Sequence, residues 1–295
     1  MVLVVGATGL VGNAVCQKLV ERGEKVRALA RATSISSKVN ALASRGVEIH
    51  TGDLKDVNSL ASACAGVEAV ISTASSTLAR QSGDSIESVD RAGQLALVQA
   101  ARNAGVTRFV FVSFRRSPDL PFPLSKAKAA VENALNDFNF TIIQASFFME
   151  VWLSPALGFD YANATARIYG SGTNPISWVS FVDVAEMCAI ALRHRGAERQ
   201  VIEFGGPEAL TALEVVARVE KTSGRPFRLD HVSEETLIAQ WKAAVEPMDK
   251  TFAALMLSCA RGDAMNMTPV VDRYGIRLTN LAEYIHGVLG KAATA

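Results

Sequence analysis

The first 150 residues alternate short β-prone runs with segments of helical periodicity, and this alternation constrains the fold more than any other feature of the chain. Strands are predicted at Val2–Val5, Lys25–Ala30, Val47–His50, Ala69–Thr73, Phe109–Ser113 and Phe140–Gln144. Helices are predicted between them at Leu10–Arg22, Ser37–Arg45, Val57–Ala63, Ile86–Ala104 and Ser125–Phe138. Strands that alternate with helices form right-handed βαβ units, so the sequence predicts an α/β fold with a doubly wound parallel sheet.

The alternation weakens after about residue 150, where glycines and prolines divide the chain into shorter segments. Helices remain plausible at Val182–Leu192, Ala212–Ser223, Glu234–Ala244, Met248–Arg261 and Asn280–Leu289. We therefore predict two parts, a first domain over residues 1–150 and a smaller C-terminal α/β lobe over residues 151–295 that covers the substrate crevice. Segments near residues 180–206 are expected to return to the core of the first domain.

Composition excludes several classes of protein. The net charge of +1 gives no electrostatic reason to expect nucleic acid or an anionic membrane as partner. The N-terminus lacks the pattern of a signal peptide, and polar residues interrupt the apolar stretch around residues 140–159, so no membrane insertion is expected. The four cysteines and four histidines show no metal-ligand spacing, which predicts no metal site and a cytoplasmic protein with buried thiols.

The strongest local motif is the glycine loop of residues 6–12, which follows the first strand and opens the first helix. Gly6 permits a tight turn, Gly9 lets the backbone approach a diphosphate, and Gly12 lets the helix pack closely on the sheet. The N-terminus of the helix offers amide groups and a partial positive charge to phosphates. This context predicts a Rossmann-type dinucleotide site, whose loop contacts come from Gly6, Thr8, Gly9, Leu10, Val11 and Gly12.

The residue that ends the second strand indicates which dinucleotide binds. An NAD site usually places an acidic residue there for the ribose 2′-hydroxyl, whereas this chain has Arg31. A guanidinium suits a 2′-phosphate, and Lys38 lies close enough in sequence to assist. The predicted cofactor is therefore NADP(H), while the alternative for Arg31 is a solvated loop arginine.

Residues after the third and fourth strands complete the predicted cofactor site. Asp53 could accept a hydrogen bond from the adenine amino group, with Leu54 packed on the ring, or Asp53 could cap the next helix. Thr73 and Ala74 follow the fourth strand and are small enough for the cofactor to pass closely.

These residues together resemble the short-chain dehydrogenase/reductase superfamily in its atypical, NmrA-like branch. The resemblance is carried by GATGLVG at 6–12, Arg31, GDL at 52–54, RFVFVS at 108–113, the Lys126 helix, FVDVA at 181–185 and FGGPEALT at 204–211. It covers the chain to about residue 215. Members of this branch include quinone reductases, isoflavone-reductase-like enzymes, NADP-sensing regulators and a nucleotide-holding subunit of respiratory complex I.

The resemblance also implies a catalytic group, Tyr-x-x-x-Lys with an upstream serine. Lys126 is in the lysine position, but Phe122 stands where the tyrosine would be, so the usual proton relay cannot operate there. The serine position falls on Ser113 or on the adjacent Phe114. Lys128 replaces Lys126 if the helix has a different register.

Phe147 follows the sixth strand, where it could cover the nicotinamide and help to form an apolar pocket, or could belong to the core. The expected function is an NADPH-dependent reductase that passes hydride to an apolar, quinone-like or enone acceptor. The alternative is a non-catalytic NADP(H)-binding redox sensor or complex-stabilising protein, which Phe122 favours. A sugar-nucleotide epimerase or dehydratase ranks last because it relies on the missing tyrosine. The expected partner is a small molecule, with the chain a monomer or homodimer.

Overall fold

The computed structural model describes residues 1–78 and 80–292. The chain divides into two compact units, and each unit is built from three separate stretches of the chain. The first unit comprises Met1–Phe114, Pro123–Gln144 and Val184–Ile202, and the second comprises Arg115–Phe122, Ala145–Asp183 and Glu203–Ala295. The predicted domains, residues 1–150 and residues 151–295 with segments near 180–206 returning to the first, stay a prediction.

The first 145 residues contain six strands, each followed by a helical segment except the last. The strands are β1 (Val2–Val5), β2 (Val26–Ala30), β3 (Glu48–Thr51), β4 (Ala69–Ser72), β5 (Arg108–Ser113) and β6 (Asn139–Ala145). The helices are α1 (Leu10–Glu21), α2 (Ser36–Ala43), α3 (Val57–Cys64), α4 (Gln94–Asn103) and α5 (Pro123–Ala134). A π-helical stretch, Ile86–Gly93, leads directly into α4, and such stretches often mark functional sites.

The remaining elements include strands that the sequence did not predict. The α-helices and strands that follow β6 are α6 (Met149–Trp152), β7 (Phe159–Asp160), β8 (Thr165–Tyr169), α7 (Phe181–Arg193), β9 (Gln200–Phe204), α8 (Ala212–Ser223), β10 (Arg228–Val232), α9 (Glu234–Ala243), α10 (Pro247–Arg261), α11 (Thr268–Tyr274) and α12 (Leu281–Ala292). Strands β7, β8 and β10 form a second, three-stranded sheet in the order β10-β8-β7. They were missed because they are short or lack a clear alternation of apolar and polar residues.

The main sheet has seven strands in the order β3-β2-β1-β4-β5-β6-β9. Neighbouring strands from β3 to β6 pair in parallel, and the register places Val5 of β1 beside Ser72 of β4. This confirms the predicted Rossmann-type sheet. The strand order reverses between β1 and β4, and in open α/β sheets ligands bind beyond the carboxyl ends of the strands at such a switch point.

The central strands β1, β4 and β5 are apolar because helices cover both faces of the sheet, whereas the edge strand β3 is partly exposed. All four residues of β1 and all six of β5 are buried. Phe109 and Phe111 of β5 belong to a core cluster that also contains Leu3 of β1 and Val131 of α5. This packing holds the central strands in place, and the residues of the candidate site follow the carboxyl ends of those strands.

The four cysteines are all buried and none forms a disulfide, as expected from their scattered spacing. Burial raises the pKa of the Cys16 thiol to about 12 and that of Cys64 to about 11. Burial also raises the pKa values of Cys188 and Cys259. The unfolded chain therefore releases these four protons at lower pH than the folded chain does.

We expect the free energy of unfolding to fall as pH rises above about 9, because unfolded thiols ionise near pH 8.5 while the buried thiols stay protonated. Each thiol contributes a loss of about 1.4 kcal/mol per pH unit between its unfolded and folded pKa. Urea unfolding at pH 7, 9, 10 and 11 measures this slope. The Cys188→Ala variant should lose stability with pH less steeply, and an unchanged slope would contradict the assignment to thiols.

Candidate functional site

The glycine loop turns sharply between β1 and α1. Gly6 has a φ of +85°, and the Gly9 amide donates a 2.9 Å hydrogen bond to the Gly6 carbonyl oxygen. A Cβ at Gly12 would lie 2.1 Å from that same oxygen, so the helix can approach the loop only without a side chain there. Helix α1 begins at Leu10, and no side chain caps it. The amides of its first turn are therefore suited to an anion.

The loop after β4 lies against the glycine loop, as the strand order requires. The amide of Thr73 donates to the Val5 carbonyl oxygen at 2.9 Å, and its hydroxyl contacts the same oxygen at 3.2 Å. Gln94 holds the next residue, with its Nε2 3.1 Å from the carbonyl oxygen of Ala74. The structure thus brings Thr73 and Ala74 together with the predicted phosphate loop.

Arg31 lies at the end of β2 and forms an ion pair that the sequence did not predict. Its Nη1 is 2.6 Å from Oδ2 of Asp84, and Lys55 Nζ is 2.6 Å from Oδ1 of the same carboxylate. The Gln81 amide donates to Oδ2 at 2.9 Å. Burial alone would raise the pKa of Asp84, but the hydrogen bonds from Lys55, Gln81 and Arg31 hold that pKa below its ordinary value.

Lys38, Asp53 and Leu54, which are also predicted to lie near the adenosine, each make different contacts. Lys38 is exposed, and its Nζ lies 3.3 Å from the Thr8 carbonyl oxygen. The Asp53 carboxylate accepts a hydrogen bond from the Lys55 amide at 2.8 Å. Asp56, not Asp53, caps α3, so the capping alternative for Asp53 is wrong. Leu54 is buried in the core cluster.

Of the two lysines of α5, Lys128 faces the sheet and Lys126 faces solvent. Lys126 is exposed, whereas Lys128 is 5% exposed and its Nζ donates to the Val112 carbonyl oxygen at 3.0 Å. The Lys128 ammonium also lies 4.6 Å from the ring centroid of Phe111. Residues two apart point to different sides of a helix, so only one of the two lysines can reach the end of β5.

Lys128 belongs to a buried polar network at the carboxyl ends of β4, β5 and β6. Burial lowers the pKa of Lys128, while the charges of Asp90 and Glu132 oppose that shift. Ser113 donates a 2.5 Å hydrogen bond to Glu132, and Gln144 lies 3.4 Å from the same carboxylate. The predicted Ser113 is therefore brought together with Lys128 and not with Lys126.

Asp90, on the π-helical stretch, is fully buried. Its Oδ2 accepts hydrogen bonds from the amide of Ser76 at 3.0 Å and from its hydroxyl at 2.5 Å. Its Oδ1 is buried and has no hydrogen-bond partner among the described residues. A carboxylate buried among apolar side chains is costly, and the two hydrogen bonds from Ser76 offset part of that cost.

The tyrosine position lacks a hydroxyl in either register. Phe122 precedes Lys126 by four residues, and Leu124 precedes Lys128 by four. Both side chains are buried. The proton relay that the resemblance implies therefore has no hydroxyl at this position, whichever lysine takes part.

In the second unit Phe147 belongs to an aromatic cluster. Its ring centroid lies 4.7 Å from that of Trp152 and 6.3 Å from that of Trp178, and Trp152 packs edge-on against Tyr169 at 6.2 Å. Trp152, Tyr169 and Trp178 also line a small pocket between β8 and α10. The pocket has a volume of only about 20 Å³, so these rings pack chiefly against one another and present an apolar wall.

Comparison with known proteins assigns the family. The profile described as NmrA, the NmrA-like family, matches residues 1–285. The chain belongs to the NmrA-like family. The resemblance found in the sequence is thereby confirmed.

Relatives of this NmrA-like chain differ in what their names say of them. An NAD(P)H azoreductase from Xenophilus azovorans is 30% identical over 231 residues, 77% of this chain and 76% of its own length. The photosystem II assembly factor Ycf39 from a Synechocystis strain is 27% identical over 304 residues, 98% of this chain and 91% of its own. The relatives of this chain thus include one named for reduction and one named for assembly.

A solved structure shares the fold of this chain. The NADPH-dependent quinone oxidoreductase from Escherichia coli, crystallised with NADPH, has a TM-score of 0.76 and 22% identity, covering 98% of this NmrA-like chain and all of that one. At this identity the likeness establishes the shared fold.

Over residues 1–78 and 80–292, no helix combines the length and apolar character needed to cross a bilayer. The same part of the NmrA-like chain contains no group of three or more His, Cys, Asp or Glu side chains placed to hold a metal ion.

Proposed function

We propose that this protein is an NADPH-dependent reductase that transfers a hydride to an apolar, quinone-like or enone acceptor. The observation that carries the proposal is the glycine loop at the switch point of the sheet, with Arg31 at the end of the adjacent strand. The first-turn amides of α1 would hold the pyrophosphate, and Arg31 would bind the 2′-phosphate. The relatives named as an azoreductase and a quinone oxidoreductase support a reductase.

When bound, NADPH supplies the hydride, and a quinone that accepts one hydride and one proton becomes a quinol. Within this chain, Lys128 would hold a proton at Nζ and would offer positive charge to the oxygen being reduced. Glu132 and Asp90 supply the negative charge that keeps a buried ammonium tolerable. Ser113 fixes the orientation of Glu132.

The class of acceptor is proposed from the aromatic cluster of the second unit. Phe147 and Trp152 are only partly buried, and such apolar rings favour a flat acceptor over a charged one. We place the activity in the cytoplasm, which the four buried and unpaired thiols favour.

The second candidate is a protein that binds NADP(H) without turnover, as a redox sensor or to stabilise a complex. The absence of a hydroxyl at both Phe122 and Leu124 favours it, as does the relative named as a photosystem II assembly factor. Oxidation of NADPH against a panel of quinones, an enone and an azo dye separates the two functions. Tight NADPH binding with no turnover on any acceptor would support the sensor.

Arg31→Ser tests the predicted cofactor preference. We expect NADPH affinity to fall about 10- to 100-fold, the value of a lost charge-assisted hydrogen bond, with NADH affinity little changed. Calorimetric titration of both nucleotides measures the two affinities. Arg45→Ser, at an exposed arginine outside the predicted site, is the control and should leave both unchanged. Equal losses for NADPH and NADH would contradict a role in binding the 2′-phosphate.

A further inference from the structure

Asp84 joins three loops at the adenosine end of the sheet. Its carboxylate receives Arg31 from the loop after β2, Lys55 from the loop after β3, and the amide of Gln81 from its own loop after β4. Gln81 adds a second connection, since its Nε2 donates to the Thr33 carbonyl oxygen at 3.2 Å. Two cations from separate loops are thereby held beside one another.

The burial of these groups differs in a way that matters for a ligand. The Asp84 side chain is 1% exposed, whereas those of Arg31 and Lys55 are 26% and 31% exposed. Oδ1 takes the ammonium and Oδ2 takes the guanidinium, so each cation has its own oxygen. The carboxylate thus lies beneath two partly exposed cations, and the three side chains carry a net charge of about +1.

A buried carboxylate of this kind lowers the cost of holding two cations together. Without it, the guanidinium and the ammonium would repel each other and their long side chains would separate into solvent. With it, both are fixed before any ligand arrives, and ordering them on binding costs less. A dianionic phosphate monoester is the acceptor that suits two adjacent cations.

We propose that Lys55 is a second cation for the 2′-phosphate of NADP(H), and that Asp84 is a positioning residue that sets the preference for NADP(H) by holding Lys55 beside Arg31. The inference rests on the proposed function, since it deepens the cofactor site. It differs from the sequence prediction, in which Lys38 assists Arg31. Lys38 reaches instead toward the carbonyl oxygen of Thr8 in the glycine loop.

The test compares ligands that differ only in the 2′-phosphate: NADPH against NADH, and adenosine 2′,5′-bisphosphate against AMP. For Lys55→Met we expect about tenfold weaker binding of the phosphorylated member of each pair and an unchanged unphosphorylated member. Lys25→Met, at another exposed lysine, is the matched control and should bind all four ligands as the wild type does.

Asp84→Asn tests the positioning role. We expect the ratio of NADPH to NADH affinity to fall about tenfold, and the double variant Lys55→Met/Asp84→Asn to lose little more than either single variant. Asp84→Glu, which keeps the charge, should recover part of the ratio. A gain in NADPH affinity in Asp84→Asn would overturn positioning and would make Asp84 a competitor for the cations.

The outcomes separate the inference from the function it rests on. Wild-type protein that binds neither NADPH nor NADH would overturn the proposed function and this inference together. A preference for NADPH over NADH that is as large in Lys55→Met as in the wild type would overturn the inference alone. Lys55→Met carries this decision even if Asp84→Asn fails to fold, because the Lys55 side chain is partly exposed.

Discussion

Gly12→Ala should weaken NADPH binding at least about 100-fold, which corresponds to about 2.7 kcal/mol. The added methyl group would lie 2.1 Å from the carbonyl oxygen of Gly6 and 2.6 Å from its carbonyl carbon. Both are backbone atoms, so no side chain can move away to make room. Either α1 or the loop must shift, and the first-turn amides then lose the geometry needed for a diphosphate.

Calorimetry with NADPH, together with thermal unfolding, measures this effect. Gly287→Ala is the control, since a Cβ there meets nothing within 4 Å, and we expect it to keep both affinity and stability. Gly9→Ala gives an intermediate case, because its Cβ would lie 3.2 Å from the same Gly6 oxygen. Full NADPH affinity in folded Gly12→Ala would show that the nucleotide does not use this loop.

The loop and the first strands could be predicted from sequence because their determinants are local. The run Val2–Val5, the glycines at 6, 9 and 12 and the apolar face of α1 lie within about twenty residues, and each imposes a conformation on its neighbours. The alternation of strands and helices then fixes a parallel sheet through the handedness of βαβ units. The structure departs from these predicted bounds mainly at element ends.

The lysine of α5 could not be assigned from sequence because the choice depends on which face of the helix meets the sheet. Lys126 and Lys128 are two residues apart in a segment rich in alanine, and alanines mark the buried face weakly. Leu124, Val131 and the buried Lys128 show afterwards which face packs inward. When a lysine can be buried, the apolar pattern alone does not show which face of the helix packs inward, and the partners of that lysine have to be known first.

The partners of the site residues were also out of reach, since they come from distant parts of the chain. Asp84 lies 53 positions from Arg31, and no motif marks it as the carboxylate that holds two cations. Asp90 lies on the apolar side of a predicted helix. Its complete burial could not be predicted, because acidic residues are usually exposed. Only the folded sheet, which gathers the loops after β2, β3 and β4 at one edge, brings such residues together.

Lys128→Met should reduce turnover about 100-fold or more, the usual contribution of a positioned proton donor, while NADPH affinity changes little. The variant should also lose about 3–5 kcal/mol in free energy of unfolding, because the buried carboxylates of Asp90 and Glu132 then lack their cation. Steady-state assays with a quinone, calorimetry and urea unfolding measure the three quantities separately. Lys126→Met is the matched control, and we expect it to behave like the wild type since that side chain is exposed.

The pH dependence of turnover gives a further readout that a purely structural lysine would not provide. Burial lowers the pKa of Lys128, so its ammonium loses its proton at a lower pH than an ordinary lysine does. If that proton supports the reaction, wild-type turnover falls as pH rises through this lowered pKa, and the residual turnover of Lys128→Met shows no such fall. Loss of turnover in Lys126→Met, with Lys128→Met active, would instead restore the lysine that the sequence indicated.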